Sequence, residues 1–113
     1  MNIENYVVEE LNKMLEVPVF GEDPEEKPSE YVLTQLVGRL EKNFIVTDSI
    51  AFKCHSDSKA EALELNEVIQ DNVKKLIESS RISAIKLKSS YETTDTNMKR
   101  CRYQTIFDIT YKR

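Results

Sequence analysis

The feature that most constrains the fold is one unbroken helical pattern in the middle of the chain. Over residues 57–79, apolar side chains recur every three or four positions, and neither glycine nor proline interrupts them. Ser58 followed by Glu61 matches a capping box at the start of this segment. The pattern predicts an amphipathic helix that packs its apolar stripe against a sheet. The stripe comprises Ala62, Leu65, Ile69, Val73, Leu76 and Ile77.

Segments with a period of two flank this helix on both sides. Residues 31–40 and 44–54 alternate in polarity around the polar connection Glu41–Asn43, which predicts a hairpin. Residues 85–91 and 103–111 alternate in the same way and predict two further strands. Because the strands come in runs and do not alternate strictly with helices, we expect a mostly antiparallel sheet.

The alternation also predicts which side chains share a face. Asp48 interrupts the apolar face of the second hairpin strand, so we expect a bulge or bend near residues 47–49. We expect Ile85, Leu87 and Tyr91 to lie on one face of their strand. In the second hairpin strand, the predicted apolar face comprises Phe44, Val46, Ile50, Phe52 and Cys54.

The chain opens with a second amphipathic segment. Residues 2–15 predict a helix with Asn2 as its N-cap, and Pro18 prevents the helix from continuing. A short edge strand over residues 17–20 and a proline-containing acidic loop follow. We therefore predict one α+β domain over residues 1–113, with four to five strands and two helices packed on one face. The expected order is helix-strand-strand-strand-helix-strand-strand.

Charge is distributed unevenly along the 113 residues. The net charge is −4 and the pI is near 5.1, which argues against a dedicated nucleic-acid-binding protein. Residues 1–30 hold nine acidic and two basic side chains, whereas residues 81–113 hold three acidic and eight basic ones. Two interpretations stay open: copies of the chain attract one another head to tail, or both ends are simply solvated.

No motif for catalysis or for metal binding is present in the sequence. The two cysteines, Cys54 and Cys101, and the single histidine, His55, lack the spacing of a zinc site. Adjacent strand residues point to opposite faces, so Cys54 and His55 should diverge. We predict no enzyme activity, no cofactor and no metal. Reduced thiols are expected, and a disulfide stays open if the two strands are neighbours. Neither a membrane span nor a signal peptide is expected.

Two stretches are informative together. The first is V-P-V-F-G-E-D-P-E-E-K-P-S-E-Y-V-L, from Val17 to Leu33, and the second is R-C-R-Y-Q-T-I-F-D-I-T-Y, from Arg100 to Tyr111. With the helix of residues 57–79 between them, the chain resembles the small tail-completion proteins of long-tailed bacteriophages and prophages. These are the tail terminators, also described as minor capsid or head–tail joining proteins. The matching residues are Val17, Pro18, Val19, Pro24, Pro28, Arg102, Tyr103, Gln104 and Asp108.

The resemblance implies a function without covalent chemistry. Tail terminators form a ring, commonly a hexamer, that caps the tail tube and presents a surface to the head–tail connector. The expected partners are therefore other copies of the chain, the tube protein and the connector protein, with no membrane and no nucleic acid. The expected location is the virion tail, after synthesis in the bacterial cytoplasm. A head-completion protein and a stand-alone α+β binding module with nucleic-acid contact remain alternatives. The candidate interface residues are Glu22, Asp23, Glu25, Glu26, Lys99, Arg100 and Arg102.

Overall fold

A computed structural model describes residues 2–93 and 101–113. It confirms the α+β class and the order of the main elements, with one addition: a short 3-10 helix, Leu76–Glu78, ends the second helix. The elements are α1 (Ile3–Met14), β1 (Val19–Phe20), β2 (Tyr31–Lys42), β3 (Ile45–Ser56), α2 (Lys59–Lys75), β4 (Ala84–Glu92) and β5 (Cys101–Lys112).

The five strands form one mixed sheet in the order β1-β2-β3-β5-β4. β1 pairs parallel with β2, and the remaining pairs are antiparallel. The last strand of the chain therefore lies inside the sheet, between β3 and β4. Both helices pack on one face, where their stripes share a hydrophobic core with β3 and β5. We call the opposite side the helix-free face.

Polar caps fix where both helices begin. The Asn2 side chain accepts a hydrogen bond from the Asn5 amide, and the Ser58 side chain accepts one from the Glu61 amide. The predicted capping box is only half formed. The Glu61 carboxylate accepts a hydrogen bond from the Ser56 hydroxyl at 2.9 Å, so it joins the start of α2 to the end of β3.

The β2–β3 hairpin turns one residue later than the sequence predicts. Lys42 pairs with Ile45, which leaves Asn43 and Phe44 as a two-residue turn. Both turn residues have positive φ, 53° and 66°. This conformation matches the right-handed twist of the strands and favours Asn and Gly. Phe44 therefore does not belong to the buried face of β3, and its side chain is 71% exposed.

The expected bulge near Asp48 lies instead in the partner strand. β3 pairs continuously with β5 from Ile45 to Ser56, whereas the register of β2 shifts between Leu36 and Gly38. The extra residue, Val37, reverses which side chains of β2 face the helices.

A second bulge corrects the predicted face of β4. Its register against β5 shifts between Leu87 and Ser89, so Lys88 is the extra residue. Leu87 faces the helices with Phe107, whereas Tyr91 pairs with Gln104 on the helix-free face. The predicted stripe of α2 is also shorter than expected, because Ile77 lies on the exposed side of the 3-10 helix.

Candidate docking surfaces

The β2–β3 hairpin ends in an exposed apolar surface, which we call the hairpin tip (residues 40–45). Leu40, Phe44 and Ile45 are 73%, 71% and 51% exposed. The end of β5 supports the turn, because the Arg113 amide donates to the Phe44 carbonyl oxygen at 2.7 Å. Clustered apolar exposure of this kind is typical of a protein-contact surface.

Positive side chains surround the hairpin tip. Lys42 belongs to the tip, Lys112 is the last residue of the adjoining strand β5, and Arg113 follows it. Arg113 forms an ion pair with Glu41, with Nη1 2.8 Å from Oε1. Within residues 40–45 the charges of Glu41 and Lys42 cancel, so the positive net side-chain charge around the tip comes from Lys112 and Arg113.

A groove with an acidic rim lies between the end of α1 and the first half of α2, and we call it the acidic groove. It encloses about 460 Å³, within the range of roughly 300–1,000 Å³ that is typical of binding pockets. Its lining includes neither lysine nor arginine among the described residues. The apolar lining residues are Met14, Leu15, Val17, Leu65 and Val68, and the acidic ones are Glu16, Glu30, Glu61 and Glu64.

The surroundings of Glu30 in the groove raise the pKa of its carboxyl group. Partial burial raises the pKa of Glu30, and the neighbouring charges of Glu61, Glu64 and Asp57 raise it further. Negative charge is therefore costly at this position, and an approaching cation would relieve the repulsion. The four rim glutamates come from three separate parts of the chain, so no sequence spacing could have revealed the groove.

The helix-free face carries a different charge pattern. The strand registers place five basic side chains on it, with Asp108 as the one strand carboxylate among the described residues. The Asp108 carboxylate accepts a hydrogen bond from the Ser49 hydroxyl, and Lys53 donates to Gln35 at 2.7 Å. The basic residues are Lys42, Lys53, Lys86, Arg102 and Lys112.

Of the predicted interface residues, Arg102 lies at the end of the sheet far from the hairpin tip. Arg102 pairs with His55, which pairs with Tyr31 at the end of the acidic loop. Tyr31, which directly follows the loop, and Arg102 are thus two strand spacings apart, about 10 Å. The Arg102 Nε already donates to the Thr93 hydroxyl at 2.9 Å. Lys99 and Arg100 lie outside the described residues, and the loop carboxylates of Glu22, Asp23, Glu25 and Glu26 are exposed.

The cysteine and histidine side chains do not converge. Cys54 faces the helices and is fully buried, and burial raises the pKa of its thiol. His55 lies on the other face, stacked on the Tyr31 ring with centroids 4.5 Å apart. Cys54 and Cys101 lie on neighbouring strands, yet both are free thiols, and Cys101 pairs with Ser56.

Two buried polar clusters were not predicted from the sequence, and each joins separate elements of the fold. The Thr105 hydroxyl donates to Asn66 Oδ1 at 2.6 Å, and Asn66 Nδ2 donates to the Ser90 hydroxyl at 2.9 Å, which ties α2 to β5 and β4. The second cluster joins Arg39, Asp48 and Tyr111. The available signal was Asp48 itself, an acidic residue at a core position of a strand.

Within residues 2–93 and 101–113, no three His, Cys, Asp or Glu side chains cluster as metal ligands would. No helix in that part of the chain combines the length and the apolar character that a bilayer crossing requires. Comparison with known families and curated proteins found no matching family model and no matching curated protein.

Proposed function

We propose that this chain is a tail terminator, a phage morphogenesis protein that assembles into a ring on the end of the tail tube and presents the surface for head–tail joining. The observation that carries the proposal is the hairpin tip, where Leu40, Phe44 and Ile45 are exposed together. A monomer gains nothing from such a surface, whereas a subunit of an assembly buries it.

The backbone of Phe44 supports the same conclusion. A φ of 66° is unfavourable for a bulky side chain, and the exposed ring contributes little to the core. A residue that neither suits its turn nor packs in the fold is a candidate for contact with a partner.

Three of the residues that carry the resemblance share one face of the sheet, which a single partner can contact. Arg102, Gln104 and Asp108 alternate along β5 and share the helix-free face. The Pro18 carbonyl oxygen accepts a hydrogen bond from the Val32 amide at 3.0 Å, which begins the parallel pairing of β1 with β2. In the proposed ring, the tube protein binds one side and the connector binds the other.

Electron microscopy tests this function directly. The purified chain is added to tubes of the tail-tube protein encoded in the same morphogenesis gene cluster. We expect ring-shaped caps at tube ends and shorter tubes when the chain is present during polymerisation. Tubes of unchanged length with bare ends would refute the proposal. Caps found on the portal side of heads would instead favour the head-completion alternative.

Nucleic-acid binding is a second candidate function, favoured by one observation. The helix-free face carries Lys53, Lys86 and Arg102, and an exposed aromatic ring, Tyr91, lies on the same face. Such a combination suits phosphate and base contacts. Salt-dependent retention on a DNA column, lost in a Lys53→Glu/Lys86→Glu variant, would support it. Retention that does not depend on salt, or no retention, would contradict it.

A further inference from the structure

The hairpin tip and the acidic groove have complementary properties. The tip presents Phe44 and Ile45 with Lys42 beside them, and the groove presents an apolar floor with an acidic rim. Apolar contact in the centre with opposite charges around it is the usual anatomy of a protein interface. Each surface thus has the chemistry that the other requires.

The two surfaces lie at opposite ends of the same strand. Glu30, on the groove rim, immediately precedes the first residue of β2, and Lys42, in the tip, is its last. Twelve strand residues at about 3.3 Å each separate them by about 40 Å. The sheet is continuous between them, so the tip of a chain cannot reach its own groove. A tip that enters such a groove must belong to another copy.

We propose that the hairpin tip of one copy docks into the acidic groove of the next copy, with the Phe44 ring on the apolar floor and Lys42 near the rim glutamates. The contact uses two different surfaces, so it is heterologous and continues from copy to copy until a ring closes. This inference rests on the proposed function in one respect, because it names the contact that would close the proposed ring.

Site-directed disulfide trapping tests the contact. Two pools of protein are prepared in a Cys101→Ser background, one with Asn43→Cys, which leaves the Phe44 ring in place, and one with Val68→Cys in the groove, with affinity tags of different size. The pools are mixed at high concentration and oxidised mildly. We expect a disulfide-linked heterodimer that disappears on reduction. The matched control replaces Val68→Cys with Ile77→Cys, which is similarly exposed but lies beyond the far end of α2.

The trapping experiment compares the yields of the two disulfide-linked products. We expect the Asn43–Val68 product to exceed the Asn43–Ile77 product by about tenfold, which corresponds to 1.4 kcal/mol of preference. Equal yields, or no Asn43–Val68 product, overturn the proposal. Circular dichroism of each pool before mixing confirms that the variants are folded.

A charge swap provides an independent readout. Lys42→Glu and Glu64→Lys should each lower the self-association measured by analytical ultracentrifugation, and the double variant should recover part of it. A double variant weaker than both single variants overturns the proposal.

The two proposals fail in different ways. If caps form on tubes without the Asn43–Val68 product, the docking proposal is wrong and the tail function stands. If the product forms but tube length is unaffected, the docking stands and the tail function is wrong.

Discussion

Arg39 and Asp48 face each other across β2 and β3, with Arg39 Nε 2.6 Å from Asp48 Oδ1 and Nη2 3.0 Å from Oδ2. They meet because the bulge at Val37 turns Arg39 onto the helix-covered face. Asp48 is fully buried, and its Oδ2 also accepts the Tyr111 hydroxyl at 2.9 Å. A buried carboxylate in the core is therefore bound on both of its oxygens.

Replacing Asp48 should destabilise the fold more than replacing an exposed carboxylate. We expect Asp48→Asn to lower the free energy of unfolding by roughly 1–3 kcal/mol, because the Arg39 guanidinium and the buried Tyr111 hydroxyl lose a charged acceptor. The matched control is Glu41→Gln, which removes the exposed pair with Arg113 and should cost about 0–1 kcal/mol. Urea unfolding followed by circular dichroism gives both values. Equal losses would contradict the stabilising role of the buried Asp48 carboxylate.

Tyr111 should make stability depend on alkaline pH. Burial raises the pKa of its hydroxyl, and the hydrogen bond to Asp48 raises it further. Its stabilising contribution is therefore complete below the ordinary tyrosine pKa of about 10 and is lost as pH rises through the folded-state value. The urea midpoint of the parent should fall above about pH 10, and the fall should be smaller in Tyr111→Phe. Tyr91→Phe, at an exposed site, serves as the control. Identical pH profiles for all three proteins would exclude this role.

The turn residue Phe44 should be dispensable for folding. We expect Phe44→Gly to leave the free energy of unfolding unchanged or to raise it by about 1 kcal/mol, because glycine adopts positive φ without strain. Asn43→Gly should raise it less, since asparagine already tolerates this region. Urea unfolding of both variants gives the comparison. A marked loss of stability in Phe44→Gly would show that the ring packs in the fold.

Asn66 and Thr105 should contribute as a pair. Either Asn66→Leu or Thr105→Val removes the hydrogen bond between these two buried side chains and should cost roughly 1–3 kcal/mol. The double variant should cost less than the sum, because both changes remove the same hydrogen bond. A double-mutant cycle from urea midpoints measures the coupling. Additive losses would indicate that the 2.6 Å hydrogen bond contributes no net stability.

The two thiols should differ in reactivity. Cys54 is fully buried and burial raises the pKa of its thiol, whereas Cys101 is partly exposed. We expect Ellman's reagent to modify one thiol in the native protein and two in denaturant. Cys101→Ser should abolish the native reaction. Rapid modification that persists in Cys101→Ser would mean that Cys54 is accessible.

The sequence patterns predicted the positions of the helices and strands well, but they predicted less well which face of each element each side chain lies on. The spacing from Ala62 to Val73 predicted α2, and the alternation from Tyr103 to Tyr111 predicted the buried face of β5, because both depend on a period within one segment. The face of Tyr91 was predicted wrongly for the same reason. A period of two along β4 carries no information about a bulge, which depends on the register with the partner strand.

The same distinction between local pattern and tertiary pairing applies to the candidate docking surfaces. The sequence by itself determined the helices, the strands, the acidic loop and the mixture of apolar and basic residues in the hairpin, because local spacing and composition are read along one chain. Only the tertiary structure decided that Phe44 lies in a turn, that Arg39 reaches Asp48, and that Glu16, Glu30, Glu61 and Glu64 surround one groove. These relationships arise from cross-strand pairing and helix packing, which join residues far apart in the chain and leave no period in the sequence.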